Sequence, residues 1–357
     1  MARKGTKKLT GITLATLPSY RGYIFVFFSE ATLRLCAGSS LEDLKGQNVG
    51  DVVKKVNECI AEEIESIRGR GGDPCARTPL PLTGNDPKEK MNICYAHKVL
   101  TEVIGGSSPK TLTLPPALSL EFAEFVRSFM GPGKAKRYLF TVSEDVLALA
   151  VIGAHILQAY RGVNGEYGYV YIDVVPHEFV RVKARDVQRA VKRVTRVIAE
   201  RGGSVASVLL GIAATASLIL GDMAREIVKK DGHVIANYIR ISRTGNKVML
   251  KGFDSVDIIQ LIKILRASGT SGATYVLLRS YPPEEFNNLR RFVEVLSQNL
   301  LKFQSFRKPI YIYEILRFLT SEELNREGLQ HYRKKNEKSL GWSEIATRLR
   351  GLARLVL

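Results

Sequence analysis

The chain has 357 residues, 45% of them hydrophobic and 25% charged; this excludes a disordered or fibrous protein and supplies enough apolar material for one large core or two modest ones. Lys and Arg number 53 against 35 Asp and Glu, a formal charge of +18, so the molecular field attracts polyanions, nucleic acid first and an acidic protein or membrane surface after it. The ion-pair networks of thermophile proteins are nearly balanced in sign and do not explain such an excess. Only four cysteines occur, Cys36, Cys59, Cys75 and Cys94, and the basic start Met1 to Lys8 is not followed by an apolar signal segment. A reducing cytoplasm is the expected compartment.

In chain order, Tyr23 to Phe28 reads as a strand and Leu41 to Ile67 as an acidic helical stretch. Arg68 to Lys90, rich in Gly and Pro, reads as a long surface loop, and Gly105 to Pro116 as a second. Met91 to Val103 between them fits a short helix. Leu120, Phe122, Phe125, Val126 and Phe129 recur at helical spacing before Gly131-Pro132-Gly133 stops the element. A strand at Tyr138 to Val142, a helix at Val146 to Tyr160 and a strand at Tyr167 to Val175 follow.

Arg185 to Arg201 has the clearest periodicity. Val187, Val191, Val194 and Ile198 share one face, while Arg185, Arg189, Lys192, Arg193 and Arg196 share another. Val205 to Gly221 holds seventeen residues without a charge. Its many small residues favour a buried central helix over a membrane span. Tyr238 to Phe253 reads as a hairpin around Thr244-Gly245-Asn246. Beyond it the signals are helical, at Val256 to Ala267, Pro283 to Phe303, Ile310 to Thr320 and Trp342 to Leu357. The expected fold is α+β: a mixed α/β domain over residues 1–252, carrying the basic helix and hairpin, and a mainly helical domain over residues 253–357.

Three basic constellations fit a phosphate backbone. Between Arg181 and Arg201, the residues Arg181, Lys183, Arg185, Arg189, Lys192, Arg193, Arg196 and Arg201 face only Asp186 and Glu200, and cations one turn apart can track successive phosphates. The hairpin carries Arg240, Arg243, Asn246, Lys247 and Lys251, with the tip narrow enough for a groove. Lys134, Lys136 and Arg137 follow the Gly-Pro-Gly turn, but Ala135 stands after Lys134 where a nucleotide-hydrolysing P-loop needs Ser or Thr.

Catalytic and metal signatures are incomplete. Asp173, Glu178 and Lys183 follow the order of a metal-dependent nuclease without its Glu-x-Lys tripeptide. Cys75, Cys94 and His97, with Cys59, offer four zinc ligands but no C-x-x-C pair. Free buried thiols are the preferred reading, and a disulfide is admissible in a hyperthermophile. No catalytic residue, metal or cofactor is assigned.

At Val205 to Asp222 and again at Ile241-Ser242-Arg243-Thr244-Gly245-Asn246-Lys247-Val248-Met249-Leu250-Lys251-Gly252-Phe253, the chain resembles the large subunit of archaeal type I-A CRISPR interference complexes, the Csa-four or Cas-eight-a group. The likeness runs from about Phe140 to about Leu319. It implies a non-catalytic subunit that binds target DNA and guide RNA and helps inspect the motif beside the target. It also implies contact with the backbone, guide-end-capping and small subunits, and recruitment of a helicase-nuclease. It lends weight to Arg243, Asn246, Lys247 and Lys251. A metal-dependent nuclease using Asp173 and Glu178, and an RNA-binding assembly factor unconnected with interference, are the alternatives.

Overall fold

A computed structural model describes residues 9–14, 23–45, 49–84, 86–120, 140–162, 164–175, 184–220, 223–333 and 340–357. The fold is α+β with mostly helical content. Its two compact units are Met1–Tyr169 with Ile239–Phe253, and Val170–Tyr238 with Asp254–Leu357. The chain therefore changes unit three times, the last time beside the boundary expected at residue 252. The helices between residues 184 and 229 group with the C-terminal helices rather than with the first part of the chain.

In the first unit, β1 (Leu9–Ile12) runs parallel to β3 (Phe140–Ser143), and β2 (Thr111–Thr113) pairs antiparallel on the other side of β3. Instead of the strand expected at Tyr23 to Phe28, the chain forms a helix, α1 (Ile24–Thr32), in which every residue is buried. A run of Phe, Val and Ile buried on all sides has no alternation to distinguish strand from helix. A helix satisfies its own backbone donors and acceptors without a partner strand. Against α1 lies α4 (Glu144–Leu157), where Gly153 permits the crossing: a Cβ there would overlap the Phe28 carbonyl. α2 (Val49–Gly69) and α3 (Ile93–Ile104) complete the helical layer. The loop between them is anchored by Tyr169, whose fully buried side chain donates its hydroxyl to the Pro79 carbonyl at 2.7 Å.

A four-stranded sheet has the order β4 (Gln158–Arg161), β5 (Glu166–Val175), β6 (His233–Thr244), β7 (Lys247–Asp257). β6 and β7 form the expected hairpin, longer than the sequence indicates. Its turn is Gly245-Asn246, with the positive φ (60°) of Gly245 at the first central position, where a two-residue turn of this hand requires glycine.

The second unit is built around α6 (Val205–Ile219), the charge-free segment. It is packed by α5 (Ala184–Glu200), α8 (Ile259–Ala267), α9 (Ser271–Arg279) and α10 (Asn287–Phe306). α7 (Met223–Lys229), α11 (Ile310–Phe318), α12 (Glu322–Arg333) and α13 (Trp342–Leu349) complete it. α7, α9 and α12 are absent from the sequence expectation. Among the described residues, no helix is long and apolar enough to cross a membrane.

Candidate nucleic-acid interface

Two buried anchors set the orientation of α5. Val187, Val191, Val194 and Ile198 are at most 2% exposed. Gln188 reaches β5 with both ends of its amide: Nε2 donates to the Val170 carbonyl at 2.6 Å, and Oε1 accepts from the Ile172 amide at 3.4 Å. On α6, Gly211 brings the helices close, since a Cβ there would sit 2.8 Å from Val194 and 2.9 Å from Ile198.

The opposite face is the cationic one. At 3.6 residues per turn, Arg185, Arg189, Lys192, Arg193 and Arg196 fall within an arc of about 100° and extend roughly 16 Å along the axis. Arg189, Arg193 and Arg196 are exposed, Arg185 and Lys192 partly buried. Asp186 and Glu200 stand at the two ends of this ridge. Arg189 Nη1 lies 3.8 Å from Asp186 Oδ1 and Arg196 Nε 4.0 Å from Glu200 Oε1. Exposed pairs at such distances are worth at most about 1 kcal/mol and weaken in salt, so a phosphate can displace them. Among the described residues Arg193 has no ion-pair partner. Arg201 is engaged elsewhere, donating from Nη1 to the Tyr281 carbonyl.

On the hairpin, Lys247, Met249 and Lys251 are exposed and alternate with buried Val248 and partly buried Leu250, so the two lysines share an outward row. Asn246 is exposed at the turn. Arg240 is partly buried and packs across the neighbouring strand, where a Cβ on Gly252 would lie 2.8 Å from its Nη2. Arg243 does not project from the tip as a free arm: its Nε donates to the Gly245 carbonyl at 2.9 Å. It lines a cavity of about 460 Å³ together with Arg161 on β4 and Lys88 beside α3. Sequence reading does not reveal Arg161 or Lys88 as site residues, because strand pairing in the order β4, β5, β6 brings Arg161 near Arg243 and the packing of the loop held by Tyr169 brings Lys88 there.

Lys134, Lys136, Arg137, Arg181 and Lys183 lie outside the described residues, as do Glu178 and the helix expected before Gly131. Asp173, the remaining member of the nuclease alternative, is 3% exposed on β5. The cysteines are neither free thiols nor zinc ligands: Cys36 is bonded to Cys59 and Cys75 to Cys94, with Cα separations of 5.5 and 5.4 Å. His97 Nδ1 lies 2.7 Å from Asn57 Oδ1. Burial, and then the nearby charge of Arg68, hold its imidazole below the ordinary pKa. No group of three or more His, Cys, Asp or Glu is placed to hold a metal ion among the described residues.

No family model, curated protein or solved structure matches the chain.

Proposed function

We propose that this chain is a nucleic-acid-binding protein that grips the phosphate backbone with the cationic face of α5. One observation carries the reading: five cations occupy a single arc of a helix whose other face is buried, with the two acids confined to the ends of the ridge. A solvated helix face ordinarily mixes its charges along its length. A ridge of this kind neutralises successive phosphates and releases their counterions.

The resemblance at Val205 to Asp222 and Ile241 to Phe253 supports a more specific role: a non-catalytic large subunit of a type I-A CRISPR effector in the cytoplasm of a hyperthermophile, a setting in which the two disulfides persist. In that role guide pairing reads sequence, and the chain holds backbone and inspects a short duplex element. The outward row of Lys247 and Lys251 with Asn246 at the turn suits contact with a groove. Other interference subunits and a helicase-nuclease are the partners this role requires.

The test is fluorescence anisotropy of labelled single- and double-stranded oligonucleotides at several salt concentrations. The logarithm of the binding constant should fall linearly with the logarithm of salt. The triple variant Arg189→Ala, Arg193→Ala, Arg196→Ala should reduce the slope by about three, one per lost phosphate contact, with sequence preference unchanged. A flat salt response, or an unaltered slope in the triple variant, overturns the assignment of α5.

A further inference from the structure

The cavity beside the hairpin has a chemistry of its own. Its cationic side is Arg161, Arg243 and Lys88, against the one carboxylate, Glu89, among the described lining residues. Arg161 lies directly across from Tyr167 in the β4–β5 pairing and stacks on its ring, 5.1 Å from the centroid. Arg243 is fixed at both levels: its backbone amide donates to the Gly165 carbonyl at 2.9 Å, and its Nε holds the turn. Only Nε of that guanidinium is committed, so its terminal nitrogens remain as donors, and the Arg161 guanidinium is held by an aromatic face rather than a carboxylate. The lining also includes Leu80, Leu82 and Tyr167, which are 0%, 4% and 4% exposed. They form its packed floor, while Ala76, Thr78 and Asn92 supply accessible lining beside the two guanidiniums.

We infer that this cavity is a binding site for a nucleoside phosphate, the phosphate held by Arg161 and Arg243 and the nucleoside lying over the part of the lining formed by Ala76, Thr78 and Asn92. The volume, about 460 Å³, lies within the range of small-molecule sites and is far larger than inorganic phosphate requires. Guanidinium groups suit phosphate because their N–H donors match two of its oxygens at once. The arrangement is independent of the α5 ridge. The same chemistry could come from a free nucleotide or from the 5′-phosphate end of a strand.

Calorimetric titration of the full chain with adenosine 5′-monophosphate, adenosine and inorganic phosphate tests the inference. Adenosine 5′-monophosphate should bind at one site per chain, and each fragment about tenfold or more weakly. Arg161→Met and Arg243→Met should each lower the affinity about tenfold. Exposed Lys88→Gln, which leaves strand pairing untouched, should lower it by a smaller factor. The α5 triple variant should bind the nucleotide normally, which separates failure of this site from failure of the backbone reading. Competition by short oligonucleotides distinguishes the sources: displacement by a 5′-phosphorylated but not a 5′-hydroxyl strand indicates a strand end, and displacement by neither indicates a free nucleotide. The inference is overturned if no phosphate probe binds, if adenosine binds as well as its monophosphate, or if the three cavity variants retain wild-type affinity.

Discussion

Glu294 shows how one side chain holds together elements far apart in sequence. Its carboxylate accepts from the Ser204 amide at 3.2 Å, from the hydroxyls of Ser204 and Tyr281, and from Ser207 Oγ at 3.0 Å. Ser204 is at the same time the N-cap of α6, its Oγ accepting from the Ser207 amide at 3.2 Å. The α5–α6 turn is thereby fastened to α10. Burial by itself would raise the pKa of Glu294, but hydrogen bonds from Ser204, Tyr281 and Ser207 outweigh it and hold the carboxyl below its ordinary value. A carboxyl with a lower pKa folded than unfolded stabilises the protein above its unfolded value, about 4.3, and that contribution fades as pH falls through the folded value. Glu294→Gln keeps the shape and removes the charge. The stability difference between wild type and variant, read from urea midpoints, should be largest near neutral pH and should shrink toward about pH 3. A difference constant across that range would show that the carboxylate charge is not what the network stabilises.

At the scale of elements, what could be read from sequence depended on whether a face was left in water. α5 and the β6–β7 hairpin are half-buried, so their periods of 3.6 and 2 are visible in the chain. α6 was recognisable through the opposite sign, a segment with no charge and many small residues. α1, buried all round, carries no such contrast and reads as a strand. α9 begins with Ser271-Gly272 and includes β-branched Thr274 and Val276, residues of weak helical preference that packing on α6 overrides. α12 buries little beyond Leu324, His331 and Tyr332, too sparse a stripe to stand out. The basic ridge was legible for the same reason as its helix, whereas the cavity joins Lys88, Arg161 and Arg243 from three separate elements. Asp186 and Glu200, one turn from Arg189 and Arg196, bracket the ridge at 3.8 and 4.0 Å. These acids compete with an incoming phosphate for Arg189 and Arg196, and such exposed pairs contribute at most about 1 kcal/mol to folding. Asp186→Asn with Glu200→Gln should therefore leave the thermal midpoint nearly unchanged and tighten oligonucleotide binding several-fold at low salt. Weaker binding in this double variant would mean that the acids orient the arginines rather than occupy them.

For the molecule as a whole, a formal charge of +18 favours polyanion binding but opposes compaction through self-repulsion. Covalent links act against that repulsion, and both lie in the first compact unit. Cys36–Cys59 joins the end of the α1 segment to α2, and Cys75–Cys94 joins the long loop to α3. The bridges close sequence separations of 23 and 19 residues. Loops of that length lower the entropy of the unfolded chain by amounts worth about 3 kcal/mol each, large against the roughly 5–15 kcal/mol that separates folded from unfolded proteins. Among the described residues between 70 and 87 the long loop forms no helix or strand, and the second bridge adds to the hold that Tyr169 and the buried Leu80 and Leu82 have on it. Denaturant titration with and without a thiol reductant should show the reduced protein unfolding at a distinctly lower midpoint. Cys36→Ser with Cys59→Ser, and Cys75→Ser with Cys94→Ser, should each reproduce part of that loss and should add when combined, because the two loops do not overlap. Coincident midpoints for oxidised and reduced protein would overturn the stabilising role of both bridges. A loss confined to one pair would assign it to the single loop that pair closes.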